Sequence, residues 1–169
     1  MCLITKQAEA KIAKTNIHVY KLVELKWSDK EKAFIPRAIF LNYIYSIKNR
    51  SKFGISKRYM DNDGKMVFNI HQGLHAFFSI TRVLELFKDN LPYQILKDED
   101  GILSGIFIMV IPKGSKYYIS LDGKEIVSNR MNFERLATLY EYNKPFEHVT
   151  KLPIKWKKRF LSLQSSLVS

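Results

Sequence analysis

The sequence predicts a single domain over residues 1–169 of the α+β class, with a mostly antiparallel sheet of about five to seven strands and about three helices. Three observations lead to this class. A hydrophobic content of 46% and an aromatic content of 13% can supply a core. Short apolar segments are separated by turns that contain glycine and aspartate. Apolar residues also recur at helical spacing in three places, the last of them a basic amphipathic helix.

The first regular element is a strand over Ile17–Lys26. Alternate residues there are apolar, as a strand with one buried face requires, and Lys21 interrupts the series. Residues 1–15 are predicted to be a mobile N-terminal segment. Ser28–Lys32 has the composition of a polar turn. Ala38–Ile47 is apolar and aromatic and fits either a helix or a strand.

A hairpin and a capped helix are predicted in the middle of the chain. Asp63-Gly64 lies between apolar segments and predicts a hairpin, because glycine tolerates positive φ. Gly73–Phe77 predicts a short buried strand, after which Ser79 has the position of a helix N-cap. The apolar face of that helix is Ile80, Val83, Leu84 and Phe87. Ile102–Ile111 is the predicted central strand.

Two strands and two helices are predicted after this point. Tyr117–Leu121 and Ile126–Val127 are strands about an Asp-Gly turn. The second helix rests on the spacing of Phe133, Leu136, Ala137 and Tyr140, and the third lies in residues 151–169 with the stripe Trp156, Phe160, Leu163 and Leu167. Three roles stay open for the third helix: phosphate binding, contact with an anionic membrane, or docking on its own domain.

Positive charge is concentrated in two acid-free stretches. The net charge is +12, and Lys48–Arg58 and Lys151–Arg159 together carry +10 of it. Such local charge favours a binding face for an anionic partner over general solubility. We therefore predict that a basic loop and the third helix bind phosphates. The ligand-binding residues predicted there are Lys48, Arg50, Lys52, Lys57, Arg58, Lys155, Lys157, Lys158 and Arg159.

Three smaller patterns bear on the ligand. Phe53 lies within the first basic stretch, and cations near aromatic rings suit single-stranded nucleic acid. Lys113 and Lys116 flank a glycine-containing turn and are predicted as further phosphate contacts, although the turn lacks the spacing of a phosphate-binding loop. His71 and His75 are four residues apart, but the glycine between them breaks a helical zinc motif, so we predict no metal site.

Four segments, in chain order, resemble the ADP-ribosyltransferase fold. They are an early strand with Ile17–Lys21, a strand-to-helix step at Phe77–Thr81, a proline–basic–glycine turn in Ile111–Lys116, and a strand beginning Gly123–Val127. The resemblance implies NAD as a cofactor. It implies that His18 or Lys21 contacts NAD, that Ser79 orients the site, and that Glu125 stabilises the positive charge that develops on the ribose.

Three segments also resemble a small protein family carried by bacteriophages and bacterial mobile elements. They are Met1–Lys6, Val19–Lys21 and Ile111–Tyr118. This resemblance implies a host-interaction or counter-defence role in the host cytoplasm. It implies no mechanism.

We expect a non-catalytic binding protein for a phosphate-rich ligand, either nucleic acid or a nucleotide, with no cofactor. Two alternatives stay open: an ADP-ribosyltransferase-like enzyme that acts on NAD, and an inhibitor that binds an acidic host protein. The single cysteine, Cys2, excludes an intrachain disulfide and suits a cytoplasmic protein. We expect no signal peptide and no transmembrane segment.

Overall fold

The computed structural model describes residues 2–30, 33–38, 44–46, 48–87, 102–141 and 144–145. This part of the chain contains thirteen strands and one helix. The strands are β1 (Leu3–Thr5), β2 (Lys11–Ile12), β3 (Ile17–Ser28), β4 (Ala33–Arg37), β5 (Lys48–Arg50), β6 (Gly54–Met60), β7 (Met66–Gln72), β8 (Leu74–Phe77), β9 (Ile102–Ile111), β10 (Lys116–Ile119), β11 (Glu125–Ser128), β12 (Arg130–Glu141) and β13 (Lys144–Pro145), and the helix is α1 (Ile80–Phe87).

The strands form two sheets, and every strand pair within the described residues is antiparallel. The small sheet has the order β1-β7-β6. The large sheet has ten strands, eight of which follow the order β13-β12-β9-β3-β8-β11-β10-β2. In addition, β4 pairs with β3 and β5 pairs with β12. The long strands β3, β9 and β12 lie next to one another in this sheet in the order β12-β9-β3.

Residues 44–46 and 48–50 both contact strands of the large sheet. Ile44 bridges the last residue of β4, and the Tyr45 amide donates to the Pro36 carbonyl at 2.9 Å. A few residues later, β5 pairs with the first residues of β12. The Tyr45 ring packs against the core cluster that β3, β9 and β12 contribute to.

The two faces of the large sheet have separate cores, because neighbouring residues of a strand point to opposite faces. The main cluster on one face consists of Val19, Val23, Leu25, Leu74, Ala76, Phe107, Met109, Ile111, Ile126, Met131 and Phe133. On the other face, Val83 of α1 packs with Leu22, Phe77 and Ile106. The short helix thus covers the face opposite to the main cluster.

The small sheet packs on the large one through a third cluster. Leu3, Phe68 and Ile70 of the small sheet contact Tyr118 and Val127 of the large sheet. Leu3 belongs to the N-terminal segment that was predicted to be mobile, and its side chain is buried. Pairing of β1 with β7 therefore ties the start of the chain to the domain.

The predicted α+β class is wrong, because the regular elements of the described residues are antiparallel strands apart from one short helix. The second predicted helix is the long strand β12. Its pairing with β9 shifts register between Phe133 and Arg135 and again between Leu136 and Thr138. A bulge adds one residue and reverses the alternation of faces, so Phe133 and Leu136 reach the same core at a spacing of three. The two register shifts therefore gave the core-facing residues of β12 a spacing like that of a helix.

The predicted basic loop over Lys48–Arg58 is also wrong. Its first residues form β5 in the large sheet and its last residues lie in β6 of the small sheet. The third predicted helix, over 151–169, lies outside the described residues.

Most elements with strong local signals are confirmed. The strand predicted from residue 17 is β3, and the central strand is β9. Asp63-Gly64 lies in the turn between β6 and β7, where Gly64 has φ of 75°. Ser79 caps α1, since its Oγ accepts the Arg82 amide at 3.1 Å. These signals need only neighbouring residues, which explains why they were visible in the sequence.

Candidate anion-binding site

Four segments meet at one end of the large sheet: residues 11–16, 48–54, 112–117 and 128–132. Together they contain eight lysines and arginines and no aspartate or glutamate. We call these eight side chains the basic edge: Lys11, Lys14, Lys48, Arg50, Lys52, Lys113, Lys116 and Arg130. Seven of them are exposed and Arg130 is half-buried.

Backbone hydrogen bonds hold the four segments in place. The Ala13 amide donates to the Ser115 carbonyl at 2.8 Å, which joins the first and third segments. The Asn129 amide donates to the Lys116 carbonyl at 3.1 Å, and the Ser51 amide donates to the Asn129 carbonyl at 2.9 Å. Hydrogen bonds between backbone atoms of different segments therefore fix the positions from which the side chains of the basic edge extend.

Arg50 and Arg130 face each other across β5 and β12. Because the neighbouring Ser51 amide bonds to the Asn129 carbonyl, the two arginines form a non-hydrogen-bonded pair, the type in which facing side chains are closer. Like charges in this position destabilise a sheet, by roughly 0.2–1 kcal/mol. Among the residues that the structure describes, no carboxylate forms an ion pair with any member of the basic edge. A bound anion would offset this repulsion.

Arg130 is also tied to the turn between β9 and β10. Its Nη2 donates to the Lys113 carbonyl at 3.2 Å. The guanidinium is thus held beside the turn that carries Lys113 and Lys116, while its backbone pairs with Arg50. Arg130 connects the two groups of cations that the sequence suggested separately.

The amides of this turn are already used. All four consecutive amides from Lys113 to Lys116 donate to other protein oxygens. The acceptors are the carbonyls of Ala13 and Pro112 and the Oδ1 atoms of Asn16 and Asn129, at 2.8–3.0 Å. A phosphate-binding loop or nest offers free amides to its ligand. This turn can therefore contact an anion only through the side chains of its lysines.

The aromatic rings beside the basic edge are engaged in packing. Phe53 lies edge-on against Tyr118, with ring centroids 5.0 Å apart. Tyr117 is half-buried and packs against the main core cluster. The prediction that Phe53 stacks on a base stays untested, but in this position its ring already has a protein partner.

Five predicted ligand residues come together at the basic edge: Lys48, Arg50, Lys52, Lys113 and Lys116. The structure describes the backbone but not the side chains of Lys57 and Arg58, which belong to the small sheet. Lys155, Lys157, Lys158 and Arg159 lie outside the described residues.

Sequence reasoning missed Lys11, Lys14 and Arg130. The local signal was present, because residues 10–23 and 126–133 contain no acid. A single cation in a short neutral segment nevertheless carries no information on its own. Only the pairing of β2 with β10 and of β5 with β12 brings these residues to the others.

The residues of the transferase resemblance lie on different surfaces. His18 is exposed on one face of β3, whereas Lys21 is buried on the other. Glu125 lies 3.1 Å from Arg82 Nη2, and Ser79 caps the helix that carries this arginine. Glu125 of β11 lies opposite Phe77 of the neighbouring strand β8, and both are on the face covered by α1. Lys21 therefore does not share a surface with the other three residues.

Lys21 is a charged residue on the core face of β3. Its Nζ donates to the His75 carbonyl and lies 5.3 Å from the centroid of the Tyr45 ring. Burial lowers the pKa of Lys21 to about 8. Burial, followed by the positive charge of Lys21, lowers the pKa of His75 to about 3. His75 is therefore neutral at pH 7, and its buried Nε2 has no hydrogen-bond partner within the described residues.

Two features are absent from the part of the chain that the structure describes. No group of three or more histidine, cysteine or acidic residues is arranged there to hold a metal ion. No helix in the same residues has the length and apolar character to cross a membrane. No family model, curated protein or solved structure matches this chain.

Proposed function

We propose that this protein binds a phosphate-rich anion, nucleic acid or a nucleotide, at the basic edge. One observation carries the proposal: four separate segments bring eight cations and no carboxylate to one end of the sheet. The resemblance to a phage-borne family adds a host-interaction setting to this proposal.

The arrangement differs from an ordinary charged surface. Surface lysines usually alternate with acids, and a mixture of both signs keeps a domain soluble without a strong local field. At the basic edge the positive side chains have no acidic partners within the described residues, and two arginines face each other directly. Positive potential therefore accumulates there and attracts anions.

Binding to a fluorescently labelled oligonucleotide at low salt tests the proposal. The variant Arg50→Gln, Lys113→Gln, Lys116→Gln removes three exposed charges while retaining polar side chains. We expect its affinity to fall by at least about tenfold, since each lost cation removes one phosphate contact. Lys124→Gln is the matched control, because Lys124 is an exposed lysine at the opposite end of the β10–β11 hairpin.

Two outcomes would overturn the proposal. One is the absence of any anion binding at about 50 mM salt, where phosphate contacts are strong. The other is an equal loss of affinity in the triple variant and in the Lys124 control. Capture of a single acidic protein that survives nuclease treatment would instead favour a protein partner for the same surface.

A further inference from the structure

The distribution of cations at the basic edge suits a long ligand better than a compact one. Lys48 and Arg50 lie on the same side of β5, two residues apart, which separates them by about 7 Å along the strand. Arg130 lies beside Arg50 on the next strand, and the turn with Lys113 and Lys116 follows. A nucleotide with two or three phosphates carries fewer negative charges than the eight cations that the four segments bring together.

The turn over residues 113–116 lacks the free amides that small phosphate ligands use. Tight sites for a single phosphate group combine cations with free amides at a turn or a helix N-terminus. Here the four amides of residues 113–116 are bonded to protein oxygens. At this turn, contact must therefore come from lysine side chains, which match a repeating backbone charge but give little selectivity for one phosphate group.

The aromatic rings beside the basic edge bear on whether a nucleic-acid ligand is single-stranded or double-stranded. Proteins that hold single strands stack bases on exposed rings, a contribution of about 1–3 kcal/mol per base. Phe53 instead packs on Tyr118, and Tyr117 packs against the main core cluster. Double-stranded DNA needs no such rings, and it presents about one charge per 1.7 Å of its axis, about twice that of one strand.

We infer that the basic edge binds the sugar–phosphate backbone of double-stranded nucleic acid through its side-chain cations, independently of base sequence. The inference rests on the proposed function and specifies its ligand. It predicts binding that depends steeply on salt, because each neutralised phosphate releases counterions. Sequence preference should be small, since phosphate contacts carry no base information.

Fluorescence anisotropy with defined ligands tests this inference on the full chain. The ligands are two DNA duplexes of about 20 base pairs with unrelated sequences, one of the component strands, and ATP as a competitor. We expect the two duplexes to bind within about twofold of each other and more tightly than the strand. ATP should displace duplex only at concentrations on the order of millimolar, as expected for a few exposed charge contacts.

Variants link the result to named residues. Plots of log K against log salt should lose about one unit of slope in Arg50→Gln, whereas Lys124→Gln should retain the wild-type slope. Arg50 is exposed and faces a like charge, so its replacement should leave the fold intact or slightly stabilise it. Circular dichroism and urea unfolding of each variant verify that loss of binding is not loss of fold.

The outcomes separate the inference from the proposed function. Tighter binding of the single strand, or displacement of duplex by micromolar ATP, would overturn the inference and leave anion binding at this edge intact. A preference of more than about tenfold between the two duplexes would also overturn it. If neither nucleic acid nor ATP binds at low salt, the proposed function itself fails.

Discussion

Replacing Lys21 by methionine perturbs the buried ammonium group while retaining an unbranched apolar stem. Burial lowers the pKa of Lys21 from 10.5 to about 8. Between these two pH values the folded state binds fewer protons than the unfolded state, so stability must rise with pH there. The difference in pKa corresponds to a penalty of about 3 kcal/mol that is fully present below pH 8 and disappears toward pH 10.5. About 2 kcal/mol of it is recovered between pH 7 and pH 9.5.

Urea unfolding followed by circular dichroism at several pH values across this window measures the effect. The free energy of unfolding of the wild type, minus that of Lys21→Met, should rise by about 2 kcal/mol from pH 7 to pH 9.5. Other groups that titrate in this range are common to both proteins and cancel in the difference. The absolute stability of the variant is less informative, because it also loses contacts with His75 and Tyr45.

Lys124→Met is the control for this experiment, since Lys124 is exposed. Its stability should follow the pH dependence of the wild type. Parallel curves for the wild type and Lys21→Met would refute the reasoning, because they would mean that the Lys21 amine titrates alike in the folded and unfolded states.

Four further substitutions test the helix cap, two glycine positions and the core, each measured by urea unfolding. Ser79→Ala should lower the stability by about 1 kcal/mol, because it removes the N-cap of α1. Gly73→Ala should lower it by more than about 2 kcal/mol, since φ is +148° there and the added Cβ would lie 2.4 Å from Val127 Cγ2. Gly123→Ala, with φ of +72° and no atom within 4 Å, should lose only about 1–2 kcal/mol, and an equal loss at both glycines would refute the steric argument. Phe107→Ala should lose about 3–5 kcal/mol, as expected for a ring in the main core cluster, and a loss below about 1 kcal/mol would show that the ring is not tightly packed.

Sequence reasoning identified those parts of the fold whose signal is local. The turn at Gly64, the cap at Ser79 and the strand β9 each depend on a few neighbouring residues. It failed at β12, where two irregular positions shift the alternation of faces and imitate helical spacing. A bulge is defined by two residues of one strand facing a single residue of its partner, so the sequence of β12 by itself does not show where the register shifts.

The sequence predicted five of the eight members of the basic edge. Lys113 and Lys116 were predicted from their turn, and Lys48, Arg50 and Lys52 from an uninterrupted basic stretch. The joining of these groups depends on the hydrogen bonds of Asn129 and on the pairing of β5 with β12. The charge pattern along the sequence does not show this pairing, because the paired residues of β5 and β12 lie about eighty positions apart in the chain.

The sequence by itself determined the excess of positive charge, the apolar content that supports a core, and the turns and strands whose chemistry is local. Tertiary structure decided which charges share a surface and which side chains are free to act. It set Arg130 between two groups of cations, packed Phe53 against Tyr118, and buried Lys21 on a core face. The physical reason is that electrostatic potential, stacking and burial depend on distance in space, which strand pairing establishes between residues far apart in the chain.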